Sequence, residues 1–257
     1  LNGQRRVRGV QLSDGSLIAA DHVVVAVGHS ARDTFTMLHA NGVAMEAKPF
    51  SVGFRIEHPQ PLIDQARWGN FAGHPLLGAA EYKLVHHASN GRCVYSFCMC
   101  PGGLVVGATS EPGRVVTNGM SQHSRNERNA NSGIVVGIEL ADLTPYGERG
   151  DDPLAGVAFQ RHWEARAFVT GGSNYQAPAQ RVGDFLANRS SEGSGGVIPS
   201  YQPGVCYGNL AGCLPEFVLT AIREALPAFE RRIPGFLMGD ALLTGVETRT
   251  SSPVRLP

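Results

Sequence analysis

The chain has no surplus of either charge: Lys plus Arg and Asp plus Glu each number 22 among 257 residues. Nucleic acid and acidic membrane surfaces recruit proteins through unbalanced cations, so this balance argues against both as partners and favours a small-molecule substrate. Long apolar runs are missing too. Nothing reaches the roughly 18 uninterrupted apolar residues of a membrane span, and Leu1-Asn2-Gly3-Gln4-Arg5-Arg6 carries no signal-peptide core. The five cysteines are an odd number without framework spacing, which fits a reducing, cytoplasmic setting better than a disulfide-stapled secreted domain. Every glycine-rich phosphate cradle is absent: there is no G-x-G-x-x-G, no Walker loop and no G-x-S-x-G elbow. The nearest approach, Gly193-Ser194-Gly195, has Ile198 where a third glycine belongs. No metal site is expected, because Cys98 and Cys100 lack a second ligand pair and His86 and His87, consecutive on a strand, point to opposite faces.

What is abundant is glycine, 32 residues, as tight turns or close backbone approaches to a ligand require. Residues 7–12 and 16–20 form a predicted hairpin around Asp14-Gly15. Val23-Val24-Val25-Ala26-Val27 does not alternate, so it is expected as a strand buried on both faces. Gly28 ends it. Ser30 with Asp33 makes a capping-box pattern and Asn41-Gly42 a stop, predicting a helix over 31–40. From Phe50 the period becomes two: Phe50, Val52, Phe54 and Ile56 alternate with Ser51, Gly53, Arg55 and Glu57, the pattern of a half-buried strand. Further strands at 81–86, 92–99, 104–109, 114–117 and 133–140 are punctuated by Asn90-Gly91, Pro101-Gly102-Gly103 and Pro112-Gly113. They predict an antiparallel meander that closes or nearly closes into a barrel. Helices follow from Asp152-Pro153 to Gly171-Gly172, over 179–188, and from Pro215, the last bent or interrupted at Pro227; 189–196 is a polar loop and 241–247 a strand. The fold class is α+β.

Two stretches at opposite ends of the chain carry the strongest chemical signals. A hydrophobic strand ending in Ala26-Val27-Gly28 before a helix lets the backbone pass close to a ligand, although many α/β proteins contain that pattern. Glu247-Thr248-Arg249-Thr250-Ser251-Ser252-Pro253-Val254-Arg255 collects guanidiniums and hydroxyls suited to an anion or a polar ring; a solvated strand end with an ordinary ion pair is the plainer alternative. Within the middle, Arg55 and Glu57 share the polar face of a predicted strand and His58 follows, giving either a substrate-orienting and proton-moving group or a surface ion pair worth under about 1 kcal/mol. Cys98 and Cys100 fall on one strand face, as a thiol pair or as small core residues. The polar stretch 118–131, with Asn118, Ser121 and Arg125, lines a pocket or faces water.

The segments VVVAVGHSARDTF, KPFSVGFRIEHPQ, YSFCMCPGG, VVTNGMSQHSRNERNANS, YQAPAQRVGDF and VETRTSSPVR together resemble the bacterial FAD-dependent dehydrogenase-like proteins of the two-dinucleotide-binding flavoprotein superfamily. The resemblance spans nearly the whole chain. It implies FAD as cofactor, with the glycine-rich opening of the FAD domain upstream of the equivalent of Leu1 and another FAD-contacting segment beyond the equivalent of Arg255. Residues 1–48 would then be a remnant of an α/β FAD-binding domain, 49–240 an inserted substrate or cap domain, and 241–257 the return strand. The cofactor-side residues so implied are Gly28, His29, Ser30, Arg249, Thr250, Ser251 and Ser252. Arg55, Glu57, Asn118, Ser121 and Arg125 are substrate-side candidates, and His58, Cys98 and Cys100 candidates for chemistry. On this reading the two end stretches meet in space, and the chain alone retains no FAD and is inactive. A non-catalytic ligand-binding or oligomerisation module is the competing expectation.

Overall fold

A computed structural model of the chain describes residues 6–148 and 152–257, so the opening of the N-terminal segment, residues 1–5, lies outside the described residues. Strands β1 (Gly9–Gln11) and β2 (Leu17–Ala19) pair as the expected hairpin, and α1 (Arg32–Ala40) follows. Next come β3 (Glu46–Ala47), β4 (Phe50–Pro59), α2 (Gln60–Trp68), β5 (Val85–His87), β6 (Cys93–Gly107), β7 (Thr117–Ser121) and β8 (Asn129–Ile138). The remainder is α3 (Leu140–Leu143), α4 (Ala155–Thr170), β9 (Ala177–Arg181), α5 (Val182–Leu186), β10 (Val205–Tyr207), α6 (Glu216–Glu230), β11 (Leu242–Glu247) and β12 (Val254–Arg255).

The main sheet runs β10-β9-β11-β4-β8-β6-β5, with β7 on β6. Its pairs are antiparallel except β9–β10. With β10 and β5 at its margins the sheet stays open, so the α+β class holds while the barrel does not form. Strand β4 sits near the centre, in unbroken register with β8 from Phe50↔Ile138 to Pro59↔Asn129. Its Phe50, Val52, Phe54 and Ile56 enter the main core together with Ile134 and Val136 of β8 and Val94 of β6. Helix α6 covers that face with Val218, Ile222, Leu226 and Phe229, the i, i+4, i+8, i+11 spacing of one helical stripe. Full burial of each such side chain stabilises the fold by about 1.5–3 kcal/mol. Pro227 lies inside α6 without ending it; buried Leu226 and Phe229 keep the surrounding turn packed on the sheet.

Several expectations are corrected. The run 23–27 forms no strand, and Val24 is 89% exposed: an apolar run asks for cover, and no neighbouring strand supplies it among the described residues. Ser30 does not cap α1, whose N-cap is Ala31 with no side-chain bond. Strand β4 is buried on both faces, not half-buried. Residues 81–84 are not strand, and the predicted strand at 114–117 lies instead at Thr117–Ser121. Pro101-Gly102-Gly103 is no turn; β6 runs through it with register shifts between Phe97 and Cys100 and between Cys100 and Gly103. Gly102, at φ +45°, is needed there, because a Cβ would overlap the Arg125 carbonyl. The far half of β6 pairs with β7, and β7 lies over the second face of the sheet, where Gly119 packs on the Arg55 side chain. Residues 118–131 are thus the end of β7, the 122–128 connection and the start of β8 rather than one loop, and 179–188 splits between β9 and α5.

Candidate functional site

The second face of the sheet carries Ser51, Gly53, Arg55 and Glu57 of β4, opposite Gly137, Val135, Gly133 and Asn131 of β8, with Tyr95 and Phe97 of β6 beyond. Arg55 is wholly buried there. Its Nε pairs with Glu247 Oε2, Nη2 donates to Glu247 Oε1 at 3.2 Å and Asn118 Oδ1 at 3.0 Å, and Nη1 donates to the Cys98 carbonyl at 2.7 Å and Asn131 Oδ1 at 3.1 Å. Gly119 is the roof: any Cβ would overlap the guanidinium. Burial pushes the Glu247 carboxyl above its usual range while Arg55 pulls it back. Burial also opposes the charge on Arg55, and Glu247 outweighs it. The surface ion pair allowed by the sequence is therefore a buried one, with every guanidinium nitrogen bonded.

Glu57 shares that face but has different partners. It accepts from Ser200 Oγ at 2.5 Å and Asn129 Nδ2 at 2.9 Å, and burial raises its carboxyl despite those bonds. His58 points into the opposite, apolar face, stacked near Phe236, and its Nε2 lies 2.8 Å from the Phe236 carbonyl. A carbonyl only accepts, so Nε2 holds the proton and Nδ1 is left without a partner among the described residues. Burial lowers its pKa from 6.5 to about 4. Strand alternation thus separates His58 from Arg55 and Glu57. Cys98 and Cys100 part as well. Cys98 adopts φ +45° and is exposed, whereas Cys100 is buried with its thiol donating to the Cys98 carbonyl at 3.3 Å; the kink breaks the shared face, and all five cysteines are free. Burial raises the Cys100 pKa, which disfavours a thiolate. Ser121 donates to the Pro101 carbonyl, and Arg125 sits at φ +49° in the 122–128 connection. Of the substrate-side candidates, the structure joins Arg55 to Asn118 and leaves Glu57, Ser121 and Arg125 apart.

The two chain-end stretches do meet. Arg249 Nη1 donates to Ser30 Oγ at 3.1 Å, and Ser30 Oγ lies 2.9 Å from Nδ1 of exposed His29. Arg249 also gives Nε and Nη2 to Glu164 at 3.1 and 3.0 Å and Nη1 to Ser110 Oγ at 2.6 Å. From the other side Arg32 forks onto the same carboxylate at 2.7 and 2.9 Å, and onto Gln160 at 2.8 Å and Glu111 at 2.6 Å. Thr248 Oγ1 donates to Glu164 too. Burial alone would raise Glu164, but Arg32 and Arg249 outweigh it and hold the carboxyl below its usual range. Partial burial of Glu111 is likewise overcome by bonds from Arg161 and Arg32, which hold it at about 2. Sequence reasoning missed Arg32, Glu111, Gln160 and Glu164. The available signal was Gln160 and Glu164 one turn apart in α4, beside buried Phe159 and Ala167.

Thr250 Oγ1 accepts from the Ser51 backbone N–H and donates to its carbonyl, both at 3.0 Å, stitching this edge to β4. Here a cleft of about 520 Å³ opens on the sheet face, lined by Phe50, Ser51, Arg92, Tyr95, Phe97, Gly137, Thr250 and Ser251 among others. Residues 28–30 do not line this cleft; Thr250 and Ser251 do, and Ser251 is the group there that could meet a flavin edge. Gly28 has φ +79° with nothing within 4 Å of its missing Cβ, and the Ser251 hydroxyl has no protein partner among the described residues. Arg249 is not a free anion binder, because all three of its nitrogens are bonded. Ser252 is turned to its own backbone, donating to the Val254 carbonyl. A pyrophosphate needs the glycine-rich turn that the sequence lacks. Among the described residues no group of acidic, His or Cys side chains could hold a metal ion, and no helix is long and apolar enough to cross a membrane.

A protein of Clostridium beijerinckii that carries the description "Uncharacterized protein" is 50% identical over 244 residues, 95% of this chain and 45% of that protein. The chain thus spans less than half the length of this curated relative. A family model described as "FAD-dependent protein, C-terminal domain-like" matches residues 49–250, which takes in β4 with Arg55, the Glu164 helix and the Thr250 edge of the cleft. Since that match covers most of the chain and all of its main sheet, the chain belongs to the FAD-dependent protein C-terminal domain-like family.

Proposed function

We propose that this chain is the substrate-covering part of an FAD-dependent oxidoreductase of the dehydrogenase kind. The single observation that carries this reading is the bond from Arg249 to Ser30, which closes a sequence separation of 219 residues and brings the two cofactor-side stretches to one edge. When bound, FAD supplies the redox chemistry, and the protein supplies position and electrostatics. In this reading 49–240 is the cap, while 6–48 and 241–257 contribute to the flavin-holding layer. Arg249 acts as a strut that fixes Ser30 and His29 rather than as a phosphate ligand. Thr250 sets the backbone of Ser51, and Ser251 offers its hydroxyl toward the ring. The exposed run 23–27 is the surface that a neighbouring layer covers, since contiguous exposed valines mark contact areas.

The test compares the 257-residue chain with the longer protein that carries it together with flanking sequence on both sides. The expected outcome is visible flavin absorption, at one flavin per protein, in the longer protein only. A longer protein that is colourless after addition of FAD, and that instead self-associates in the ultracentrifuge, would establish the second reading, an oligomerisation module. That reading is favoured by the exposure of Leu17 (67%) and Val24 in the N-terminal segment.

A further inference from the structure

We propose that the cleft over β4, β8 and β6 binds a planar, uncharged ring that bears a hydroxyl or carbonyl group. Its floor is the evidence for flatness. On this face β8 opens to the cleft at Gly137, where an added Cβ would meet nothing within 4 Å, whereas Gly133 farther along the strand already packs against Glu247. Glycine in a strand interior costs about 0.5–1 kcal/mol relative to alanine and packs nothing. The opening at Gly137 is therefore space that the fold keeps at a cost to its own stability. Tyr95 and Phe97, two residues apart on β6, stand on the same face and wall the cleft on one side. Aromatic walls beside a flat floor favour a ring that can lie against them.

The polar groups define what the ring carries. Tyr95 O–H reaches across β8 and donates to Ser51 Oγ at 2.8 Å. The Ser51 hydroxyl proton then has no acceptor among the described residues, so it is available to a carbonyl or hydroxyl oxygen of a ligand. Thr250 is committed to the backbone of Ser51, which leaves the Ser251 hydroxyl as the other free group. Charge is excluded by the state of the one cation in the lining. Arg92 gives Nη1 and Nη2 to Asp142 at 2.7 and 2.8 Å, and its guanidinium lies 4.5 Å from the centre of the Phe217 ring. Glu139 at the rim pairs with the same Arg92 at 3.9 Å, so among the described residues of the lining an anionic ligand meets no free cation and a cationic one no unpaired carboxylate. A volume near 520 Å³ falls in the 300–1,000 Å³ range usual for small-molecule sites.

That this ring is the substrate rests on the flavin reading, because Thr250 and Ser251 join the cleft to the flavin-side edge; the binding itself does not. The test is calorimetric titration of the 257-residue chain with 2-naphthol, set against 2-naphthoate and the saturated, non-planar 2-decalol. Saturable binding of 2-naphthol is expected, with both competitors at least about tenfold weaker. Gly137→Val, which fills the floor without a clash at Cβ, should lower 2-naphthol affinity by at least about tenfold while keeping the wild-type circular dichroism spectrum. Gly137→Ala, the gentler change that covers the case in which valine disturbs folding, should give a smaller loss in the same direction. Ser51→Ala should weaken 2-naphthol more than it weakens naphthalene. Absence of saturable binding, equal affinity for 2-naphthoate, or unchanged affinity in both Gly137 variants would overturn the proposal. A colourless longer protein with 2-naphthol binding intact would remove the flavin reading alone.

Discussion

In residues 6–48 the valines and leucines of the hairpin and of the 23–27 run lie open to solvent, whereas in the main sheet Arg55, Glu57 and His58 have no measurable exposure. Polarity alone would place these two groups the other way round. The difference teaches that burial follows the supply of partners. Arg55 has Glu247, Asn118, Asn131 and a carbonyl to replace water, so its charge can be enclosed. The 23–27 run has no layer against it among the described residues, so its side chains remain outside whatever their hydropathy.

The sharpest way to break this comparison is to take away a buried partner. Glu164→Ala leaves Arg249 enclosed without a carboxylate and Arg32 with Glu111 alone, and should cost about 3–5 kcal/mol in urea unfolding. A loss under about 1 kcal/mol would mean that water already reaches the cluster. Arg55→Met should cost about 3 kcal/mol by stranding Glu247, and Arg55→Met with Glu247→Leu should recover most of that, since an apolar pair of similar volume needs no compensation. Failure of the double variant to recover would show that Asn118 and Asn131 depend on the guanidinium for their own hydrogen bonds.

His58 gives a pH-dependent version of the same contrast. Its folded pKa lies near 4, below the unfolded value of 6.5, so the unfolded chain takes up the proton first. The contribution is complete above pH 6.5 and is lost as pH falls toward 4, amounting to roughly 2–3 kcal/mol by about pH 4.5. His58→Gln, whose amide can still donate to the Phe236 carbonyl, should flatten that part of the stability profile relative to the parent chain, measured by urea midpoints between pH 7 and 4.5. The smallest effect is expected at Val24→Asp, which should change the stability of this chain by no more than about 0.5 kcal/mol. Under the proposed flavin reading, the same change in a protein that joins this chain to an FAD-binding segment should reduce flavin retention, so the two measurements separate a surface that is covered from one that is not.

Much of the local architecture is legible in the sequence because the signals are local. The hairpin, α4, α6, β11 and the alternation at Phe50, Val52, Phe54 and Ile56 all rest on spacing within a few residues. What escapes is whatever depends on distant chain. That the polar side of β4 is roofed follows from Asn118, 63 residues away, and nothing near Arg55 announces it. The Glu164 cluster draws Arg32 from 132 residues before it and Arg249 from 85 after it. Cys98 and Cys100 escape for another reason: a left-handed residue inside a strand reverses the count of faces, and a cysteine there gives no warning. The meeting of Ser30 with Arg249 was legible only through resemblance, since spacing alone says nothing about which ends converge.

Because one carboxylate grips guanidiniums delivered by two widely separated lengths of chain, α4 behaves as a keystone. The arch closes only after the chain has brought α1 and the stretch beyond β11 into place, so these contacts form late and let go together. Amide exchange in α1 and at 248–250 should therefore share one opening event, and a disturbance of either arm is felt by the other through Glu164.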